Sequence, residues 1–154
     1  MFNNSKLQVK IGSSTAETEE QAVRDLQEQI EQPEMKLVFF FCSSRFQLDR
    51  LGELVKEAFP CTVLGCTTAG EISPRGYQQG GLSGVSLSGN GLCAHCRVLS
   101  PLSALSPAHV KEVAASVRTE HRMQACFDET GVFGVLLVDG LSMLEEKVAA
   151  WLFS

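Results

Sequence analysis

The sequence predicts an α/β fold: a mixed, mainly parallel sheet with an antiparallel hairpin and helices on both faces. Three observations predict it. In the first half of the chain, apolar runs of strand length alternate with stretches whose apolar residues recur at helical spacing. The changes of period fall at glycine, at proline, or at Ser/Thr residues with capping-box spacing. Further on, two strand-like runs flank Ser88-Gly89-Asn90-Gly91, a hairpin signal whose residues tolerate positive φ.

The elements follow in order. Lys6 to Gly12 alternates and ends at glycine, a short strand. Thr18 and Gln21 form a capping box, and Ala22, Val23, Leu26 and Ile30 give the first helix its apolar stripe until Pro33 closes it. Lys36 to Cys42 is solidly apolar, as in a strand covered on both faces. Ser44 and Gln47 have capping-box spacing and open a second helix, with the stripe Leu48, Leu51, Leu54, Val55, Ala58 and Phe59. Pro60 stops it, and Cys61 to Cys66 is the next strand. This β-α-β-α-β order favours neighbouring parallel strands with right-handed crossovers. Ser73 to Gln79 reads as a loop, and Leu82 to Leu87 and Leu92 to Leu99 as the hairpin strands. Ser106 as N-cap and Pro107 at the first helical position start a third helix carrying Val110, Val113, Ala114 and Val117. Val132 to Val138 reads as a buried strand, Gly140 as a turn, and Ser142 with Glu145 as a third capping box. The last helix is still apolar at Phe153, so residues 1–154 read as one domain truncated at its C-terminal end.

Composition narrows the function. Thirteen basic against 18 acidic residues give a net charge of -5, and the arginines are scattered, which disfavours nucleic acid as a partner. The longest apolar stretch, Leu37 to Cys42, is too short to cross a bilayer, and the N-terminus lacks the regions of a signal peptide, so a cytoplasmic location away from membranes is expected. The six cysteines sit mostly in or beside apolar runs, as free thiols do in a reducing compartment.

The most informative segment runs from Cys61 to Ile72. A β-branched run ends at Gly65, and small polar residues then leave room for a guest. Cys42-Ser43-Ser44, Cys66-Thr67-Thr68 and Asp139-Gly140 each lie where a strand gives way to a loop or helix. Parallel strands would bring these ends to one crevice, the usual binding place in open α/β sheets. Helix starts near Ser44 and Ser142 would offer free N–H groups to an anion. Glu71 and Asp139 would accept from an ammonium, while Thr67, Thr68 and Gly70 would shape the pocket. The expected ligand-binding set is therefore Cys42, Ser43, Ser44, Cys66, Thr67, Thr68, Gly70, Glu71, Asp139 and Gly140. Taken singly, these residues also read as caps and turns.

Other chemistry is weaker. Cys66 at a strand end could be a nucleophile, but the glycine spacing of a nucleophile elbow is missing and no histidine lies in the strand-end loops. Cys93-Ala94-His95-Cys96 has redox or zinc spacing, but it lacks a second ligand pair and falls in an expected strand, where residues three apart face opposite ways. Arg75 could clamp a carboxylate or pair with Glu71.

Phe41-Cys42-Ser43-Ser44, then Gly65-Cys66-Thr67-Thr68-Ala69-Gly70-Glu71-Ile72, then Val138-Asp139-Gly140-Leu141-Ser142 with Glu145-Glu146, together resemble the N-terminal half of FIST domains. These are sensory modules of bacterial signalling proteins. The resemblance implies a non-catalytic domain that binds a small polar ligand such as an amino acid and reports to a histidine kinase or a cyclic-di-GMP enzyme. Some members bind haem and sense nitric oxide, for which His95, His109, His121 or a cysteine would be the available ligands. A FIST domain continues with a further strand, a Gly-Gly-rich segment and a C-terminal half beyond the last residue here.

Overall fold

The computed structural model describes residues 7–124 and 131–153. The chain divides into two compact units, Met1–Ala94 and His95–Ser154. The first holds β1 (Gln8–Ser14), α1 (Glu19–Ile30), β2 (Met35–Ser43), α2 (Leu48–Ala58), β3 (Thr62–Thr68), β4 (Glu71–Ser73), β5 (Gly76–Gln78) and β6 (Leu82–Ser88). The class is mixed α/β, as the sequence implied.

The four-stranded sheet has the order β1-β6-β2-β3. β2 and β3 pair in parallel, Phe39 opposite Leu64 and Phe41 opposite Cys66. β6 runs antiparallel to both its neighbours, Val85 meeting Ile11 on one side and Phe39 on the other. β1, β2 and β3 therefore point the same way, and their carboxyl ends share one edge. β1 and β2 are consecutive strands, yet β6 lies between them.

The composition of β6 explains how it fits there. Ser86 is fully buried beneath α1, where its hydroxyl donates to Ile30 O at 2.5 Å and accepts from Gln32 Nε2 at 2.8 Å. A Cβ on Gly84 would stand 2.9 Å from Phe39 O and 3.1 Å from Leu26 Cδ2, so only glycine lets helix and strand approach this closely. Leu26 and Ile30 of α1, Leu51 and Val55 of α2, Phe59, Val38 and Leu82 are all buried in one core. The two helices thus share one face of the sheet and pack on each other, rather than dividing between two faces. The register puts Val9, Ile11, Val85, Leu87, Phe39, Phe41 and Leu64 on the opposite face.

α1 begins as read from the sequence: Thr18 caps it, accepting from Gln21 N at 3.4 Å, and Glu19 and Glu20 complement its dipole. α2 begins four residues later than the expected cap at Ser44. Its N-cap is Gln47, which makes no side-chain cap bond. The expected loop after β3 contains a small hairpin, β4–β5, turning through Pro74 and Arg75 between the paired Ser73 and Gly76. Its three-residue strands are too short for a period to show.

Two expected strands are absent among the described residues. Leu92 to Leu99 is irregular after a turn closed by Leu92 N to Gly89 O at 3.0 Å. The reason is topological: both edges of β6 are already paired, so a hairpin partner finds no free edge. Val132 to Val138 likewise pairs with no strand, and Val132, Phe133 and Val135 are exposed. The second unit contains a 3-10 turn (Leu102–Ala104), α3 (Pro107–Arg122) and α4 (Glu145–Phe153), with Val110 and Val148 as its buried residues. Ser106 caps α3 as expected, accepting from His109 N at 3.2 Å. At α4 the expected capping box is displaced: Ser142 Oγ accepts from Leu144 N at 3.3 Å, ahead of the first helical residue, Glu145.

Candidate functional site

In the first unit, loops far apart in sequence are tied together at the carboxyl edge of β1, β2 and β3. Ser43 N donates to Gly81 O at 2.9 Å. Gly81 N in turn donates to Glu71 Oε2 at 3.0 Å, and Thr68 Oγ1 donates to Glu71 Oε1 at 2.9 Å. Arg45 reaches across the same edge, donating from Nε to Gly80 O and from Nη2 to Ala16 O, both at 2.5 Å, and from Nη1 to Glu17 O at 3.4 Å. Its guanidinium lies 4.6 Å from the centroid of the Phe46 ring. The loops after β1, β2 and β3 and the turn before β6 thus form one bonded belt.

The expected site residues occupy this belt in different roles. Glu71 is 1% exposed, and both its oxygens accept internal bonds. It holds Thr68 and the start of β6, instead of standing at a rim. Gly70 lies beneath Tyr77, whose ring an added Cβ would strike, so the missing side chain admits the tyrosine ring. Thr67 is exposed and Ser43 half-buried at the strand ends. Ser44 is exposed in the turn before α2 and does not cap it. The α2 N-terminus already holds an anion of this chain, since Gln47 N donates to Glu19 Oε1 at 2.7 Å.

Cys42 and Cys66 do not work as a pair. The register places Cys42 with Thr67 on one face and Cys66 with Phe41 on the other. The Cys42 thiol donates to Cys66 O at 3.8 Å. Burial, with the Cys66 and Glu71 charges adding to it, pushes the Cys42 thiol up to about 11. Burial also raises Cys66 and Cys61. A nucleophilic cysteine requires the opposite shift.

Asp139 and Gly140 belong to the second unit, where both are exposed. Asp139 builds a turn: Oδ1 accepts from Leu141 N at 3.0 Å, and its carbonyl accepts from Ser142 N at 3.0 Å and from Ser142 Oγ at 2.6 Å. His95 Nδ1 lies 3.6 Å from Glu120 Oε2, and its ring meets His121 edge-on with centroids 5.8 Å apart. Arg97 bonds the same glutamate and lowers its carboxyl. His121 is therefore half-buried, whereas His109 is exposed. Cys93 is disulfide-bonded, which corrects the expectation of free thiols throughout; Cys42, Cys61, Cys66 and Cys96 are free, and Cys126 lies outside the described residues. Among the described residues no group of three or more His, Cys, Asp and Glu could hold a metal ion.

A second feature of the same edge was not legible in the sequence. A groove of about 430 Å³ lies between the carboxyl end of β1 (Ser13, Ser14), α1 (Asp25, Glu28, Gln29) and the hairpin residues Arg75 and Gln78. Ser14 Oγ donates to Asp25 Oδ2 and Gln21 Nε2 to Asp25 Oδ1, both at 2.6 Å. These bonds, Ser14 foremost, hold the Asp25 carboxyl below its ordinary range. Gln29 locks α1 to β1, accepting from Ser13 N at 3.1 Å and donating to Ser13 O at 2.9 Å. Arg75, in its Ser-Pro-Arg-Gly turn, reads in the sequence as a candidate carboxylate clamp, but nothing there places it beside α1. Arg45 and Glu19 offered no signal beyond closeness to a strand end or helix start.

The family model for the FIST N domain matches residues 36–154. The chain belongs to the FIST family. FIST is a sensory domain family that binds small ligands and is found in signalling proteins. No curated protein and no solved structure shows significant similarity to the chain. No described helix of this FIST chain is long and apolar enough to cross a membrane. Among its described histidines, His95 and His121 pack edge-on, His109 is exposed, and none lines the groove.

Proposed function

We propose that this FIST chain is the small-ligand sensory domain of a bacterial signalling protein, and that it binds a small polar molecule such as an amino acid at the carboxyl edge of β1, β2 and β3. The observation that carries the reading is the bonded belt: Arg45, Glu71 and the Ser43–Gly81 contact bring four chain segments to one edge. Ser43, Ser44, Thr67 and Thr68 supply hydroxyls there. Cys42, Cys66, Gly70 and Glu71 shape and brace the site from behind. Asp139 and Gly140 enter on the Asp-Gly-Leu-Ser motif alone.

Occupancy acts by favouring one arrangement of the belt over another. The change is passed to a signalling enzyme, a histidine kinase or a cyclic-di-GMP enzyme, in the cytoplasm, without catalysis by this domain. Mass spectrometry of small molecules that co-purify with the chain, followed by thermal shift with the compound found, tests this. A bound metabolite that raises Tm supports it. A clean preparation that no metabolite in a broad panel stabilises refutes it. The haem alternative rests on the resemblance alone, and its discriminator is a Soret band in protein from haem-replete cells. A Cys66-dependent reaction is disfavoured by the raised thiol.

A further inference from the structure

The groove beside α1 separates its donors from its acceptors. On the hairpin side, the Arg75 guanidinium makes no ion pair or hydrogen bond to any described residue, and the Gln78 Nε2 donor is buried without a partner. A buried donor left unpaired is unfavourable, and a turn of the Gln78 amide toward the groove would let an entering acceptor satisfy it. On the α1 side stand Asp25 and Glu28, and Ser13 and Thr15 also line the groove. The α1 wall is fixed by the Ser14, Gln21 and Gln29 bonds, so the groove is preformed on that side. Its volume, about 430 Å³, falls in the range of small-molecule sites.

We propose that this groove binds a small hydroxylated carboxylate. Arg75 and the Gln78 amide take the carboxylate, and the α1 wall and the serine and threonine hydroxyls take the ligand's hydroxyl groups. This rests on the sensory reading, but moves the ligand from the belt hydroxyls to the groove and replaces the amino acid by another ligand class. One guanidinium facing two carboxylates disfavours a doubly charged phosphate. A polar lining disfavours an apolar guest. Each Asp25 oxygen accepts one internal bond and keeps a second lone pair for a ligand hydroxyl, beside the exposed Glu28 carboxylate. Hydroxyls both donate and accept, and suit a wall that does the same.

Calorimetric titration of the full chain with gluconate, sorbitol, glutamine and inorganic phosphate tests the assignment. Gluconate is expected to bind more tightly than the other three. Arg75→Gln is expected to weaken gluconate about tenfold or more, as loss of a charged hydrogen bond predicts. Glu28→Gln is expected to weaken it less. Neither side chain has a partner among the described residues, so neither substitution threatens the fold. Gluconate binding unchanged by Arg75→Gln, sorbitol bound equally well, or glutamine or phosphate bound more tightly than gluconate overturns the proposal. If gluconate gives no heat while a co-purified molecule of another class binds, this site and class fall and the sensory reading stands. If nothing of any class binds, both fall.

Discussion

Replacing Arg45 by alanine removes the clasp that joins the β1–α1 connection, the turn into α2 and the start of β6. Two short bonds, to Gly80 O and Ala16 O, disappear together with the contact over the Phe46 ring, while the 3.4 Å bond to Glu17 O contributes little. Arg45 is exposed, so water replaces part of what is lost, and each short bond is given the low end of its usual net worth, about 0.5–1 kcal/mol. An exposed cation–π contact adds about 0.5–1 kcal/mol. The expected loss is about 2 kcal/mol. For a unit the size of Met1–Ala94 this lowers Tm by roughly 10 °C. Differential scanning calorimetry measures the shift, and hydrogen exchange of Ser43 N–H, which bonds Gly81 O beside the clasp, localises it. Arg45→Lys should recover only a minor part, because one ammonium cannot span carbonyls that a planar fork reaches from two sides. A drop below about 2 °C for Arg45→Ala, or full recovery with lysine, refutes the claim that this residue holds the edge together.

Further outcomes follow from the same geometry. Gly84→Ala should cost about 1–3 kcal/mol in urea denaturation, since its Cβ would meet Phe39 O at 2.9 Å and Leu26 at 3.1 Å; a neutral result would contradict the close approach of α1. In native protein near neutral pH, iodoacetamide should modify Cys42 more slowly than Cys66, by peptide mapping, because the Cys42 thiol is the more buried and is pushed up to about 11. The folded chain then keeps that proton at pH values where the unfolded chain has lost it. Stability should therefore fall as pH rises from 9 toward 11, and Cys42→Ala should flatten the fall. The Asp25 carboxyl is lowered by Ser14 and Gln21, so its contribution is present above its unfolded pKa, near 3.8, and is lost as pH falls through the lower folded value. Urea melts across that window should show a steeper acid loss for the parent than for Asp25→Asn; parallel curves would show that the Ser14 and Gln21 bonds do not favour the charged form.

Elements fixed by local chemistry were legible in the chain. Thr18 and Ser106 cap helices where their spacing says, and Pro33 and Pro60 follow the helices they close. The buried stripe of α1 is the periodic set Ala22, Val23, Leu26 and Ile30. Ser44 misled because capping-box spacing alone does not start a helix: Cys42 and Ser43 still pair with Thr67 and Thr68, so the chain needs a turn before α2 starts. Leu92 to Leu99 misled because strand-like composition cannot reveal whether an edge is free.

The sequence alone determined the alternation of strand and helix over the first unit, the apolar faces that drive its core, and the motif that marks the FIST family, because these depend on residues within a few positions of one another. Only the tertiary structure decided that β6 inserts between β1 and β2, that Glu71 points inward, and that Arg45, Arg75 and Gln78 converge with α1 at one edge. Those outcomes depend on which distant segments compete for the same hydrogen-bonding edge and the same buried space, and no local pattern encodes that competition.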